Sequence, residues 1–186
     1  MSNVPERLSS DVAMLDTSSS LTRNARIALT LVLAVYGFVL LLDPSAFRLI
    51  DNVDLAIHEA GHVFFGPFSE LIGFLGGTLM QLIVPLTFMG YFLFKRDQYA
   101  ASVLLWWVGQ NLWNISVYIK DARSMELPLV GGGVHDWRVI LGETGLLPRD
   151  QEIGHAVYSV GVLCYLVAVG WGIVTALTTR STEENP

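Results

Sequence analysis

Two histidines four residues apart, His58 and His62, enclose an acid in the stretch His58-Glu59-Ala60-Gly61-His62. The pattern is H-E-x-x-H, and its chemistry depends on the spacing. On a helix, residues i and i+4 share one face, so both imidazoles can reach a single metal ion. Glu59 falls about 100° round the same helix, close enough to touch a metal-bound water without taking a ligand position. Zinc held by two histidines and one further ligand keeps a fourth position for water and lowers that water's pKa to about 7. A carboxylate beside the water can then act as general base in peptide hydrolysis. The motif therefore predicts a Zn2+ cofactor, His58 and His62 as ligands, and Glu59 as the catalytic base. Its flanks, 54–57 and 63–65, contain no proline and suit a helix.

The elements that must position these residues are set by composition. The chain has 186 residues, 52% of them hydrophobic and only 15% charged, and the apolar residues fall in long runs. Such runs match membrane helices better than the alternating pattern of a soluble domain. The net charge of −6 offers no basic patch, which argues against a nucleic-acid partner. A single cysteine, Cys164, sits in an apolar run and forms no intrachain disulfide.

Taken in order, residues 1–22 are polar and serine-rich and read as a mobile tail. A first apolar helix follows over 27–42, with no small-residue cleavage site behind it, so it reads as a retained membrane helix. Asp43-Pro44 ends it. The motif helix, 47–68, carries Asp51, Asp54, His58, Glu59 and His62, too many polar groups to face lipid. It must be sheltered by other helices, lie at the interface or re-enter from one side. Further spans are expected over 71–94, 99–118 and 153–177. The expected fold is all-α: a polytopic membrane bundle of about four spans plus the sheltered or re-entrant motif helix. This embedded unit runs over 23–178, followed by a polar tail at 179–186.

The third ligand has two sources. Asn111, Asn114, Tyr118 and Asp121 follow 3-4-3 spacing and share a helix face. Polar groups inside a span face the protein interior, which aims Asp121 toward the metal and leaves Asn111 and Asn114 to bind substrate or an oxyanion. The alternative is the loop at 122–152, where Gly131-Gly132-Gly133 precedes His135-Asp136. Either His135 or Asp136 could ligate the metal, and His135 could instead donate to an oxyanion. A regular helix fixes Asp121 at little ordering cost, so Asp121 is the expected ligand.

The chain resembles the site-2 protease type of intramembrane metalloprotease. The likeness rests on H-E-A-G-H at 58–62 within a hydrophobic chain, and on a following helix with Gly76, Gly77, Gln81 and Pro85. An asparagine-bearing helix ending in an aspartate, from Asn111 to Asp121, adds to it. The resemblance implies zinc held by His58, His62 and an aspartate, with Glu59 as base. It also implies a membrane-protein substrate cut within or beside its transmembrane segment. The chain departs from the family pattern in having Ala122 after Asp121 and no proline between Asn111 and Asp121.

The expected protein is thus a zinc-dependent intramembrane endopeptidase. It would be multi-pass in the membrane, the plasma membrane if bacterial, with lipid and a membrane-protein substrate as partners. Two other classes fit the same residues: a metal-binding structural or adaptor protein, and a small transporter lined by His, Asp and Asn.

Overall fold

A computed structural model describes residues 4–129 and 134–178, with side chains from Ser20 onward. All regular structure among them is helical. The helices are α1 (Val4–Leu42), α2 (Leu49–Phe65), α3 (Glu70–Phe94), α4 (Gln98–Asp121), α5 (Asp136–Glu143) and α6 (Asp150–Thr178), with a 3-10 turn at Leu147–Arg149. Three segments are long and apolar enough to cross a membrane: Ser20–Leu42, Glu70–Phe94 and Leu147–Thr178, with mean hydropathies of 2.3, 1.8 and 2.2. Their outer faces present Val32, Val35, Phe38, Ile83, Phe88, Leu163 and Val174. An apolar belt of this extent is what lipid covers on a membrane protein.

The segment expected as a mobile tail, 1–22, is helical from Val4 and continuous with the first apolar helix. After Pro5 it holds no proline or glycine to break the chain, so the helix propagates across it. The tail expected at 179–186 lies outside the described residues.

The central element is α4, which differs from the three apolar segments. Gln110, Asn111 and Ser116 are buried along it, beside Trp106, Trp113, Ile115 and Ile119. Helix α6 lies antiparallel to α4 at close range, because Gly109 and Gly161 face each other: a Cβ on Gly109 would come within 2.9 Å of the Gly161 carbonyl. Small residues at a crossing let two backbones approach, the main source of packing energy where lipid removes the hydrophobic drive. Helix α1 is pinned by a row of aromatic donors. Tyr99 donates to the Arg26 carbonyl (2.7 Å), Trp106 to Leu33 (2.9 Å), Tyr165 to Ala34 (2.6 Å) and Tyr158 to Leu41 (3.3 Å). These bonds run α1 parallel to α4 and antiparallel to α6.

Helix α2 is held by α3 on one side and by side chains of α4 on the other. Asp54, almost wholly buried, accepts from the Trp107 indole at 2.8 Å. Asp51 Oδ1 lies 3.3 Å from Gln110 Nε2 and 3.4 Å from Asn114 Nδ2. The two aspartates of α2 are thus turned inward onto α4. Helix α5 is roped to the end of α4, where Arg138 donates to the carbonyls of Ala122 and Arg123, and the same end is tied to the start of α6, where Arg123 grips the fully buried Asp150 carboxylate with two bonds of 2.7 and 2.8 Å. Such forked, charge-assisted bonds fix direction as well as distance.

Candidate metal centre

Helix α2 is regular through the motif, so His58 and His62 project together toward α3. Their rings meet edge to face with centroids 4.7 Å apart. Two glycines of α3 make room. A Cβ on Gly77 would strike the His58 ring, 2.6 Å from its Cδ2, and one on Gly76 would come within 2.7 Å of the Gly61 carbonyl. The His62 Nδ1 lies 2.8 Å from the Gly73 carbonyl, and the His58 Nδ1 lies 2.8 Å from Gln81 Oε1. Gln81 stands near the midpoint of α3, which puts His58 well inside the apolar length of that helix.

Both remaining ring nitrogens point at one carboxylate. Asp136 Oδ2 is 3.1 Å from His58 Nε2 and 3.1 Å from His62 Nε2. One ligand atom from each of these three residues lies within 4.8 Å of the others. Tetrahedral zinc with bonds of about 2.0–2.2 Å sets its ligand atoms about 3.3–3.6 Å apart, so the spacing suits that ion with little movement. The donor set, two imidazoles and a carboxylate, is the kind that leaves a fourth position open. Each imidazole also uses its far nitrogen on an oxygen, as metal-binding histidines do.

Asp121, the ligand expected from the helix face, does not join this cluster. Its Oδ1 accepts from the Ser124 hydroxyl (2.8 Å) and the Glu126 N–H (2.9 Å), and its Oδ2 from the Leu127 N–H (3.1 Å). Burial alone would raise its pKa, but these donors and the adjacent His135 outweigh it and hold the carboxyl below its ordinary value. Of the stripe, Asn114 and Tyr118 line the cavity beside the histidines, while Asn111 and Asp121 do not. Asp121 lies two turns beyond Asn114, where the helix ends and loop N–H groups claim a carboxylate.

His135, the other alternative, is buried and caps α5. Its Nδ1 accepts from the Arg138 N–H at 3.3 Å, and its Nε2 lies 3.3 Å from Asp121 Oδ2. It is therefore turned away from the pair, and its neighbour Asp136, at the first turn of α5, reaches them instead. Asn114 lines the cavity but is engaged on both sides, by Gln81 and by Asp51. Asn111 donates to the Trp107 carbonyl at 3.0 Å and, like Asp121 and His135, is not among the residues lining the cavity.

That cavity has a volume of about 470 Å³ and includes His58, Glu59, His62 and Asp136 in its wall. Phe47, Leu55, Phe74, Ile115, Tyr118 and Trp137 give it an apolar character. Gln81 holds His58 directly, and Asp51, which faces Asn114, had a readable signal: Asp51, Asp54 and His58 stand at 3-4 spacing on one helix face.

The chain matches no protein-family model, and comparison with curated proteins and with solved structures gives no match.

Proposed function

We propose that this protein is a zinc-dependent endopeptidase embedded in the membrane, of the site-2 protease type, acting on the membrane-proximal or transmembrane part of a partner protein. In this reading α1, α3, α4 and α6 cross the bilayer and α2 is the sheltered helix held among them. The observation that carries it is the meeting of His58 Nε2, His62 Nε2 and Asp136 Oδ2 on the wall of a cavity that also holds Glu59. A structural zinc site closes its fourth position with protein and has no use for a free carboxylate or a cavity of this size.

His58, His62 and Asp136 would hold the ion. Zinc, when bound, supplies Lewis acidity to a water and to a scissile carbonyl. Glu59 offers a carboxylate within the same cavity to take the proton from water and return it to the leaving amine. The apolar walls receive an extended hydrophobic segment and limit bulk water, which strengthens every charge interaction inside.

The test uses protein purified in detergent, a fluorogenic peptide of transmembrane composition, and metal analysis. Wild type is expected to carry about one zinc per chain and to cleave the peptide. Glu59→Gln should keep the zinc and lose roughly a hundredfold or more in rate. Zinc-loaded wild type that cuts no faster than this variant would count against the enzymatic reading.

A further inference from the structure

We infer that the chain carries a second binding site, separate from the metal centre, where Arg26, Lys95 and Arg96 hold the phosphate of an anionic membrane-lipid headgroup. The site goes beyond the proteolytic reading and does not depend on it. It needs only that the apolar helices sit in a bilayer.

Its depth follows from where the helices end. The apolar segments Ser20–Leu42, Glu70–Phe94 and Leu147–Thr178 each bring one end to this place, and α4 starts beside them at Gln98. Between these ends lies an open cavity of about 360 Å³, with Arg26, Lys95, Arg96, Asp97, Tyr99 and Thr178 in its wall. None of these residues lines the cavity of the metal centre. Lys95 is the first residue after one apolar run, and Thr178 is the last of another. That is the level at which a bilayer changes from acyl chains to phosphates.

Charge selects the ligand. Among the described residues of the wall three are cations, and Asp97 is the one acid. Asp97 turns its Oδ1 to the Ala100 N–H at 3.0 Å, where it caps α4. The described wall is therefore net positive and draws an anion. A bilayer supplies anions at this depth as headgroup phosphates, and basic pockets between membrane helices bind such groups. A guanidinium offers phosphate two parallel N–H bonds, and an ammonium adds a mobile point charge.

The cations are also placed. The Arg26 guanidinium carbon lies 5.0 Å from the Tyr99 ring centroid, and the Tyr99 hydroxyl donates to the Arg26 carbonyl at 2.7 Å. Arg26 stands inside an apolar segment, where a charge is costly unless it meets a polar group. Lys95 Nζ lies 5.8 Å from the Tyr91 ring centroid. Arg96 has a φ of 60°, in the left-handed region that glycine adopts without strain. An arginine there costs conformational energy and supplies a charge that glycine would not. Phe94 and Leu177 are exposed at the same level and give acyl chains a surface to run along.

The test uses the full chain purified in a neutral maltoside detergent. Thermal midpoints are read against added dioleoyl phosphatidylglycerol, dioleoyl phosphatidylcholine or inorganic phosphate. Phosphatidylglycerol should stabilise wild type, with little response to the other two. Lys95→Gln combined with Arg96→Gln changes two exposed side chains. Its apparent affinity for phosphatidylglycerol should fall about 30-fold, at roughly fivefold per cation. Asp97→Asn keeps a cap on α4 and removes the acid, so affinity should rise about fivefold, a gain that no folding defect would give. Arg23 is outside the cavity wall, and Arg23→Gln should change affinity by less than about twofold. Equal stabilisation by phosphatidylcholine would show an unselective acyl contact and overturn the site. Equal stabilisation by inorganic phosphate would overturn the lipid assignment. An unchanged affinity in the Lys95 and Arg96 variant, or an equal loss in Arg23→Gln, would reduce the site to general surface charge and overturn it too.

Discussion

Asp121 Oδ2 stands 3.3 Å from His135 Nε2, and the next residue along from His135 is the aspartate that meets both motif histidines. The two carboxylates have separable roles. Asp136→Ala removes a donor atom from the cluster, whereas Asp121→Ala only loosens the turn that delivers it. Zinc titration of the purified variants should give a loss of about 10–100-fold for Asp121→Ala and a larger one for Asp136→Ala. Equal losses, or a larger one for Asp121→Ala, would return the ligand role to Asp121.

The anchoring of Asp121 also has a pH signature. Its folded pKa lies below the ordinary 3.8, so its contribution to stability is complete above that value and is lost as pH falls through the lower folded pKa. The gap in thermal midpoint between wild type and Asp121→Asn is therefore expected to be widest near neutrality. It should narrow as the pH falls from about 4 downward. A gap of the same size at pH 7 and at about pH 3 would show that the charged form is not what the loop holds.

Two glycines of α3 give a matched pair. A methyl on Gly77 meets the His58 ring, while one on Gly90 meets nothing within 4 Å. Gly77→Ala should cost about 1–3 kcal/mol through overpacking and weaken zinc binding with it. Gly90→Ala should be neutral or stabilising by up to about 1 kcal/mol, since alanine favours helix. Thermal melts with and without zinc decide. A Gly77→Ala protein with wild-type zinc affinity would mean that the ring has room to move.

The helical character of the chain and the convergence of His58 with His62 were legible because both follow from spacing along one helix. What was not legible depends on where separate helices stop and turn. The spacing puts Asn114 and Asp121 on one helix face, but it does not say that Asp121 emerges where α4 ends and the Glu126 and Leu127 N–H groups wait. Nor could the spacing say that His135 spends its ring capping α5, so that the carboxylate after it, and not the imidazole, arrives at the cluster. The polar load of α2 left shelter, an interfacial position and re-entry all open; the partners of Asp51 and Asp54, Trp107, Gln110 and Asn114, come from another helix and needed the packing to be known.

The three residues of this candidate centre come from well-separated stretches of the chain, two from α2 and one from α5. His58 and Asp136 are 78 positions apart, with α3 and α4 between them. A nascent chain therefore exposes two imidazoles long before it has a carboxylate to close the set, and it gains that carboxylate only when α5 has settled against the finished α3 and α4. In the proposed reading, zinc captured by the full set would mark the docking of α5 on α3 and α4, and a chain stalled before that step would lack the metal its proposed chemistry needs.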